Sequence, residues 1–147
     1  MERTEKSKTR RPTLTFYLDL SSSSNYILVS NFGIDLKDMM CGLLTLEGKI
    51  ELKDKEELTN QQKTLYLCSD ICENSIVSGA LYLPILRKIK LDEEGNVNMD
   101  VNKVLWINTT VSVLRSIQLF LRNGLGEEAS LSSCNLNCTL LVFPKTY

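Results

Sequence analysis

The stretch Leu14-Thr-Phe-Tyr-Leu-Asp-Leu20 alternates without a break, with Leu14, Phe16, Leu18 and Leu20 on one face of an extended chain and Thr15, Tyr17 and Asp19 on the other. Side chains along a strand point to opposite sides in turn, so this pattern marks a strand with one face against a core. The same period recurs downstream. Ser116-Ile-Gln-Leu-Phe-Leu-Arg122 sets Ile117, Leu119 and Leu121 on one side and stops at Asn123-Gly-Leu-Gly126. A last strand over residues 134–143 points Leu136, Cys138, Leu140 and Val142 inward. Near the start, a polar break at residues 21–25 precedes the apolar run Tyr26-Ile-Leu-Val29, which Ser30-Asn-Phe-Gly33 closes.

The middle of the chain reads less cleanly. Leu36, Met39, Met40, Leu43 and Leu44 follow helical spacing, but Gly42 interrupts them, and the pattern favours a hairpin that turns at Glu47-Gly48 and returns through Ile50 and Leu52. Residues 54–63 are polar and predict a loop or short helix before a compact strand, Leu65-Tyr-Leu-Cys68. Ile76-Val77 and residues 81–91 are apolar runs separated by Ser78-Gly79. Pro84 has no amide hydrogen, so its segment belongs on a sheet edge or starts its strand after the proline. Asp92-Glu-Glu-Gly-Asn96 predicts a turn, and residues 101–107, with Trp106, another strand. Eight or nine short strands with Gly, Asn, Asp and Ser breaks, and no long helix, predict an all-β fold. The expected architecture is a single jelly-roll-like antiparallel sandwich of about eight short strands over residues 13–147, behind a flexible basic arm at residues 1–12. Alternation says which side chains turn inward, not which strands pair.

At 147 residues with 43% apolar content the chain is long enough for one core. Its 17 basic and 18 acidic residues nearly cancel, so overall charge implies no nucleic-acid or membrane partner. The arm departs from that balance. Arg3, Lys6, Lys8, Arg10 and Arg11 stand among residues with no apolar side chain, which cannot repay the entropy of ordering. They are candidates for contact with nucleic acid or a neighbouring subunit, against a frayed, solvated terminus. No apolar run reaches the ~18 residues of a membrane span, and no signal-peptide pattern opens the chain; synthesis in the cytosol and no membrane partner are expected. Five cysteines, Cys41, Cys68, Cys72, Cys134 and Cys138, lie mostly in apolar stretches and suit reduced, buried thiols. The sequons at Asn108-Thr-Thr110 and Asn137-Cys-Thr139 are then chance matches.

The chain has no histidine, which removes the commonest general base and the usual partner of a Ser or Cys nucleophile. The acidic groups Glu56-Glu57, Asp92-Glu93-Glu94 and Glu127-Glu128 lie in polar stretches where solvated loop charge is the default, whereas a catalytic acid needs burial. No catalytic residue, and no enzyme, is expected. Cys68-x-x-x-Cys72 with Cys134-x-x-x-Cys138 supplies four potential zinc thiolates, but positions i and i+4 on a strand stand about 13 Å apart. Apolar thiols are the expectation, with no metal and no cofactor. Asn123-Gly-Leu-Gly126 lacks the further glycine and following helix of a dinucleotide site. Phe120, Leu141 and Phe143 fall opposite the inward sets of their strands, which is the pattern of a subunit interface or of local burial on both sides.

Taken in order, several of these segments carry a resemblance. Leu14-Thr-Phe-Tyr-Leu-Asp-Leu20 with Ser21-Ser-Ser-Ser-Asn25, then Ser30-Asn-Phe32, Tyr66-Leu-Cys-Ser-Asp70, Ile76-Val-Ser-Gly79, Leu83-Pro-Ile-Leu-Arg87, Ile117-Gln-Leu-Phe-Leu-Arg122 and Cys138-Thr-Leu-Leu-Val-Phe143 stand in sequence. This succession resembles the penton-like minor capsid proteins of Polinton/Maverick elements and adintoviruses, which are single jelly rolls. Coverage is broad in the C-terminal half and patchy before residue 65. The family carries more chain between its opening strand and the Tyr-Cys-Asp strand, so the resemblance is to a shortened or domesticated relative. It implies a structural virion protein: a homopentamer at capsid vertices that contacts the major capsid protein through its sides and is assembled in the cytoplasm or nucleus of the host cell. The basic arm would then face packaged DNA, and no catalytic residues carry over. The alternative expectation is a monomeric or host-domesticated β-sandwich binding module that recognises a protein or glycan.

Overall fold

The computed structural model describes residues 13–29, 32–79, 81–100 and 104–145. Its strands are β1 (Leu14–Leu20), β2 (Ser24–Leu28), β3 (Ile34–Asp35), β4 (Met39–Leu52), β5 (Leu65–Ser69), β6 (Ser75–Ser78), β7 (Leu81–Leu83), β8 (Ile85–Ile89), β9 (Asn96–Asp100), β10 (Ile107–Asn108), β11 (Val113–Leu114), β12 (Ser116–Asn123) and β13 (Leu131–Pro144). Between β4 and β5 lie a 3-10 turn, Lys55–Glu57, and a single helical turn, Asn60–Lys63, closed by a Thr59 and Gln62 capping box. The loop-or-short-helix expectation holds there.

The pairing has a simple logic. β1 pairs with β13, β2 with β12, β3 with β11, β4 with β10 and β9, β5 with β8, and β6 with β7, all antiparallel. The first half of the chain therefore lies against the second half in reverse order, as one long hairpin with its tip beside Gly79. That hairpin is rolled over. β13 also pairs with β4 and β12 with β5, giving one sheet in the order β1-β13-β4 with β9 and β10 on the far side of β4, and a second in the order β2-β12-β5-β8.

The two sheets close on one apolar core. Leu18, Leu20, Leu43, Leu46, Ile50, Leu136, Leu140 and Val142 from the first sheet meet Leu65, Leu67, Leu86, Ile117, Leu119 and Leu121 from the second. The fold is an all-β antiparallel sandwich. The inward sets expected for β1, β12 and β13 are the ones that face this core, Leu14 and Phe16 from its margin. β8 begins directly after Pro84 and ends its sheet, as the missing amide hydrogen requires.

Two expectations need correction. The hairpin at Glu47-Gly48 does not exist: β4 runs straight through both residues, and Gly48 pairs with Leu136 on one side and Val97 on the other. Its glycine serves close approach rather than turning. At φ 140° a Cβ would stand 2.0 Å from the Asn135 carbonyl oxygen. The strand expected over residues 101–107 is also misplaced: residues 104–106 are not strand, β10 starts only at Ile107, and residues 101–103 lie outside the described residues. The real strand, β9, starts as the Asp92 turn ends, and it forms because an unbroken β4 offers Thr45 to Lys49 as its partner. The basic arm, with Arg3, Lys6, Lys8, Arg10 and Arg11, and residues 146–147 at the other end of the expected domain, likewise lie outside the described residues.

Candidate interaction surface

Each open flank of the sandwich is set by the strand that ends a sheet. On one flank, β1 pairs with β13 residue by residue from Leu14 to Leu20 with no irregularity. Asn25 Nδ2 donates to the Asp19 carbonyl at 3.2 Å, so that carbonyl points away from β13. Antiparallel ladders alternate, so the backbone groups of Thr15 and Tyr17 share that outward side. The side chains add apolar surface: Leu14 and Phe16 of β1, Ile27 of β2 and Val29 just after it face the core yet are only half-buried. On the outer faces of the same flank Tyr17 is 82% exposed, Tyr26 68% and Leu28 70%.

The β8 flank is built differently. Pro84 precedes the strand, and its register with β5 slips between Leu67 and Cys68. Arg87 stands opposite the core residue Leu67, so a cation occupies the inward row. Its Nη1 is buried with no hydrogen-bond partner among the described residues. A proline, a bulge and an inward charge are the usual means by which an edge refuses another strand.

The outer faces hold the aromatic positions singled out in the sequence, but not together. Leu141 and Phe143 lie on the outer face of the β1-β13-β4 sheet, whereas Phe120 lies outside the other sheet. Phe143 packs against Trp106 with ring centroids 5.4 Å apart and planes tilted by 37°. Residues 104–106 can lie across β4 there because Gly42 leaves room: a Cβ would meet Val104 Cγ1 at 2.5 Å and the Leu105 carbonyl oxygen at 2.8 Å. Trp106 and Phe143 stay partly exposed, and Leu44 and Leu105 are exposed too. Phe120 instead lies under the Arg122 guanidinium, 5.0 Å from the ring centroid, and opposite Cys68 in register.

All five cysteines are free and buried. Burial pushes the Cys68 thiol up to about 12, with Arg122 pulling the other way, and it pushes Cys138 to about 12 and Cys134 to about 11. Such thiols stay protonated and unreactive at neutral pH. The Cys68/Cys72 and Cys134/Cys138 pairs do not converge: Cys134 Sγ contacts the Leu20 carbonyl oxygen, while Cys72 Sγ meets Cys41 Sγ at 3.6 Å. Among the described residues no group of three or more Cys, Asp or Glu side chains is placed to hold a metal ion.

Several carboxylates accept hydrogen bonds. Asp92 accepts from the Asn96 and Glu94 amides, and Asn96 in particular holds its pKa below the usual carboxylate range. Glu128 accepts from the Ser23 hydroxyl, and Glu127 bonds Asn123. Ser21, Ser22, Ser23, Ser132, Ser133 and Glu128 line a cleft of about 330 Å³. Among the described residues no helix is long and apolar enough to cross a membrane. Comparison of the chain with protein-family models, with curated proteins and with solved structures finds no match.

Proposed function

We propose that this sandwich is a jelly roll acting as a structural virion protein, a penton-like minor capsid subunit that assembles at capsid vertices. The observation that carries the reading is the nested pairing. Counted in chain order, β1, β2, β4, β5, β8, β9, β12 and β13 pair first with last, second with seventh, third with sixth and fourth with fifth, and form the sheets 1-8-3-6 and 2-7-4-5. This order is that of the two-sheet jelly roll, an architecture used by capsid proteins and lectins. Function does not follow from fold alone, so the flanks matter. A cyclic ring closes through heterologous contacts and needs two unlike sides on each subunit. The apolar, unguarded β1–β2 flank and the guarded β8 flank supply such a pair.

In this reading the protein is no enzyme, and its partners are copies of itself in a homopentamer, the major capsid protein and, through the basic arm, packaged DNA. Arg3, Lys6, Lys8, Arg10 and Arg11 would contribute sequence-independent attraction that weakens with salt. Light scattering after size exclusion at two protein concentrations tests the assembly. A fivefold multiple of the chain mass is expected. A monomer at both concentrations, alone and with a major capsid partner, overturns it. That result would favour the second reading, a binding module, for which the serine-lined cleft is the specific observation. Deleting residues 2–11 should abolish salt-sensitive DNA retention while leaving the pentamer intact.

A further inference from the structure

The segment from Ile107 to Thr110 stitches the two sheets together. On one side it pairs with Cys41 and Met40 of β4; on the other Cys72 bridges Thr109, Glu73 N–H donates to the Asn108 carbonyl and Thr110 N–H donates to the Ile71 carbonyl. Cys41, on β4, and Cys72, in the turn after β5, meet at this seam with their sulfurs 3.6 Å apart. Cys41 is fully buried and Cys72 nearly so. Cys68 and Cys134 instead contact backbone oxygens. Sequence spacing pairs Cys68 with Cys72, but the fold brings the Cys41 sulfur to that of Cys72.

We propose that Cys41 and Cys72 are a disulfide-forming site, oxidised by hydrogen peroxide, whose bond locks the seam between the two sheets. A disulfide needs a sulfur separation of about 2.05 Å, so the thiols must close by roughly 1.6 Å. The Cys72 hydrogen bond holds Cys41 below the ordinary thiol range, while the same bond and burial push Cys72 well above it. That direction favours Cys41 as the attacking sulfur and Cys72 as the resolving one, and the same link forms in either order.

The Cys41 thiolate attacks one peroxide oxygen, forming S–O as the O–O bond breaks. Hydroxide leaves and takes up the proton the thiol released, giving water. The Cys72 sulfur then attacks the Cys41 sulfur, S–S forms as S–O breaks, and the departing hydroxide leaves with the Cys72 proton as a second water. Two electrons pass from the two sulfurs to the peroxide. A buried site admits a small neutral oxidant more readily than glutathione disulfide, and once formed the bond is shielded from reducing thiols. Only the timing rests on the assembly reading: thiols are kept reduced in the cytosol and oxidise outside the cell, so the lock would follow assembly.

The test uses the full-length native protein treated with hydrogen peroxide, then unfolded, alkylated and mapped by mass spectrometry. The expected product has lost two hydrogens, carries three alkylated cysteines and yields one cross-linked peptide pair joining Cys41 to Cys72. Its thermal midpoint should rise by several degrees, and dithiothreitol applied to unfolded protein should remove the link. C41A and C72A should each lose the cross-link and the rise, whereas C138A keeps both. Five alkylatable thiols after treatment, a link between other cysteines, or overoxidation of Cys41 without a link overturns the proposal. Mass in solution is recorded separately: a monomer that carries the Cys41–Cys72 link refutes the assembly reading and leaves this one standing.

Discussion

Along β1, seven consecutive residues pair with β13 without interruption, whereas β8 offers five residues beside β5, with a bulge in its register, a proline before it and Arg87 on its inward row. Both strands end a sheet of the same sandwich, and both present the backbone groups that any edge presents. The difference lies in what accompanies those groups. At β8 a neighbour would have to desolvate Arg87 and Lys88; at β1 it would cover Leu14 and Phe16, which the fold itself leaves half-exposed. One flank is organised to stay alone and the other gains by being covered. On the proposed assembly, this asymmetry is what would give each subunit two unlike sides.

The largest effect comes from breaking the centre that both flanks share. Gly48→Val forces a side chain against the Asn135 carbonyl at a φ that side chains rarely adopt, in the middle of the β13-β4-β9 pairing. A loss of more than about 4 kcal/mol is expected, seen as loss of soluble protein and of the strand signal in circular dichroism. A folded Gly48→Val protein would mean that β4 turns there after all.

Exchanging the devices of the two flanks is the more direct experiment. Phe16→Arg copies the inward cation of β8 onto β1 and should weaken self-association at least tenfold, at a folding cost of about 1–3 kcal/mol measured by chemical denaturation. The reverse change, Arg87→Leu, removes a guanidinium nitrogen that is buried without a partner. It should raise stability by about 1 kcal/mol and add concentration-dependent species. Unchanged assembly in Phe16→Arg would take the β1 flank out of the interface.

The two flanks also contain matched reporters. Cys138 lies in register with Leu18 of β1 and Cys68 with Ile85 of β8, and burial raises both thiols to about 12. A raised folded pKa means that the folded state keeps its proton when the unfolded chain has released it. The stability each thiol contributes is thus complete below about pH 9 and falls by about 1.4 kcal/mol per pH unit as pH rises toward 12. Cys138→Ala and Cys68→Ala should each flatten the alkaline decline of the thermal midpoint. Alkylation of Cys138 should slow as protein concentration rises, while that of Cys68 should not. Equal concentration dependence at both sites would erase the distinction between the flanks.

How much of this was legible in the sequence depends on whether a feature is local. The inward sets of β1, β12 and β13 were, because alternation over seven or more residues is a property of the strand itself. β4 was not: Gly42 and Gly48 look like breaks until one knows that residues 104–106 and Asn135 come close to them. β9 was overshadowed by the strong turn at Asp92, and only its pairing with β4 makes Asn96–Asp100 a strand. Leu141 and Phe143 were recognised as outward-facing, but Trp106, their neighbour across the sheet, required the register. Phe120 is outward-facing as well, but on the other sheet, which its period alone does not reveal. The meeting of Cys41 with Cys72 is the same kind of fact, since contact order and not spacing brings thiols together.

The smallest expected effect concerns the turn that joins the β8 flank to β9. Asp92 accepts from the Asn96 amide at 2.8 Å and the Glu94 amide at 2.9 Å, and the Asn96 side chain adds a longer contact at 3.3 Å. These donors favour the ionised carboxylate, and first among them the Asn96 amide holds its pKa below the usual value. With the folded pKa lowered, the contribution of Asp92 is present above the usual carboxylate pKa of about 4 and is lost as pH falls through the folded value. The group is fully exposed, so water and salt screen it, and Asp92→Ala should shift the midpoint only slightly. Amide exchange gives the sharper reading. Gly95 and Asn96 should exchange faster in Asp92→Ala and in the wild type below pH 4, while residues 14–20 should not change. If exchange along β1 accelerates as well, the turn at one flank supports the edge at the other, and the two flanks are not independent.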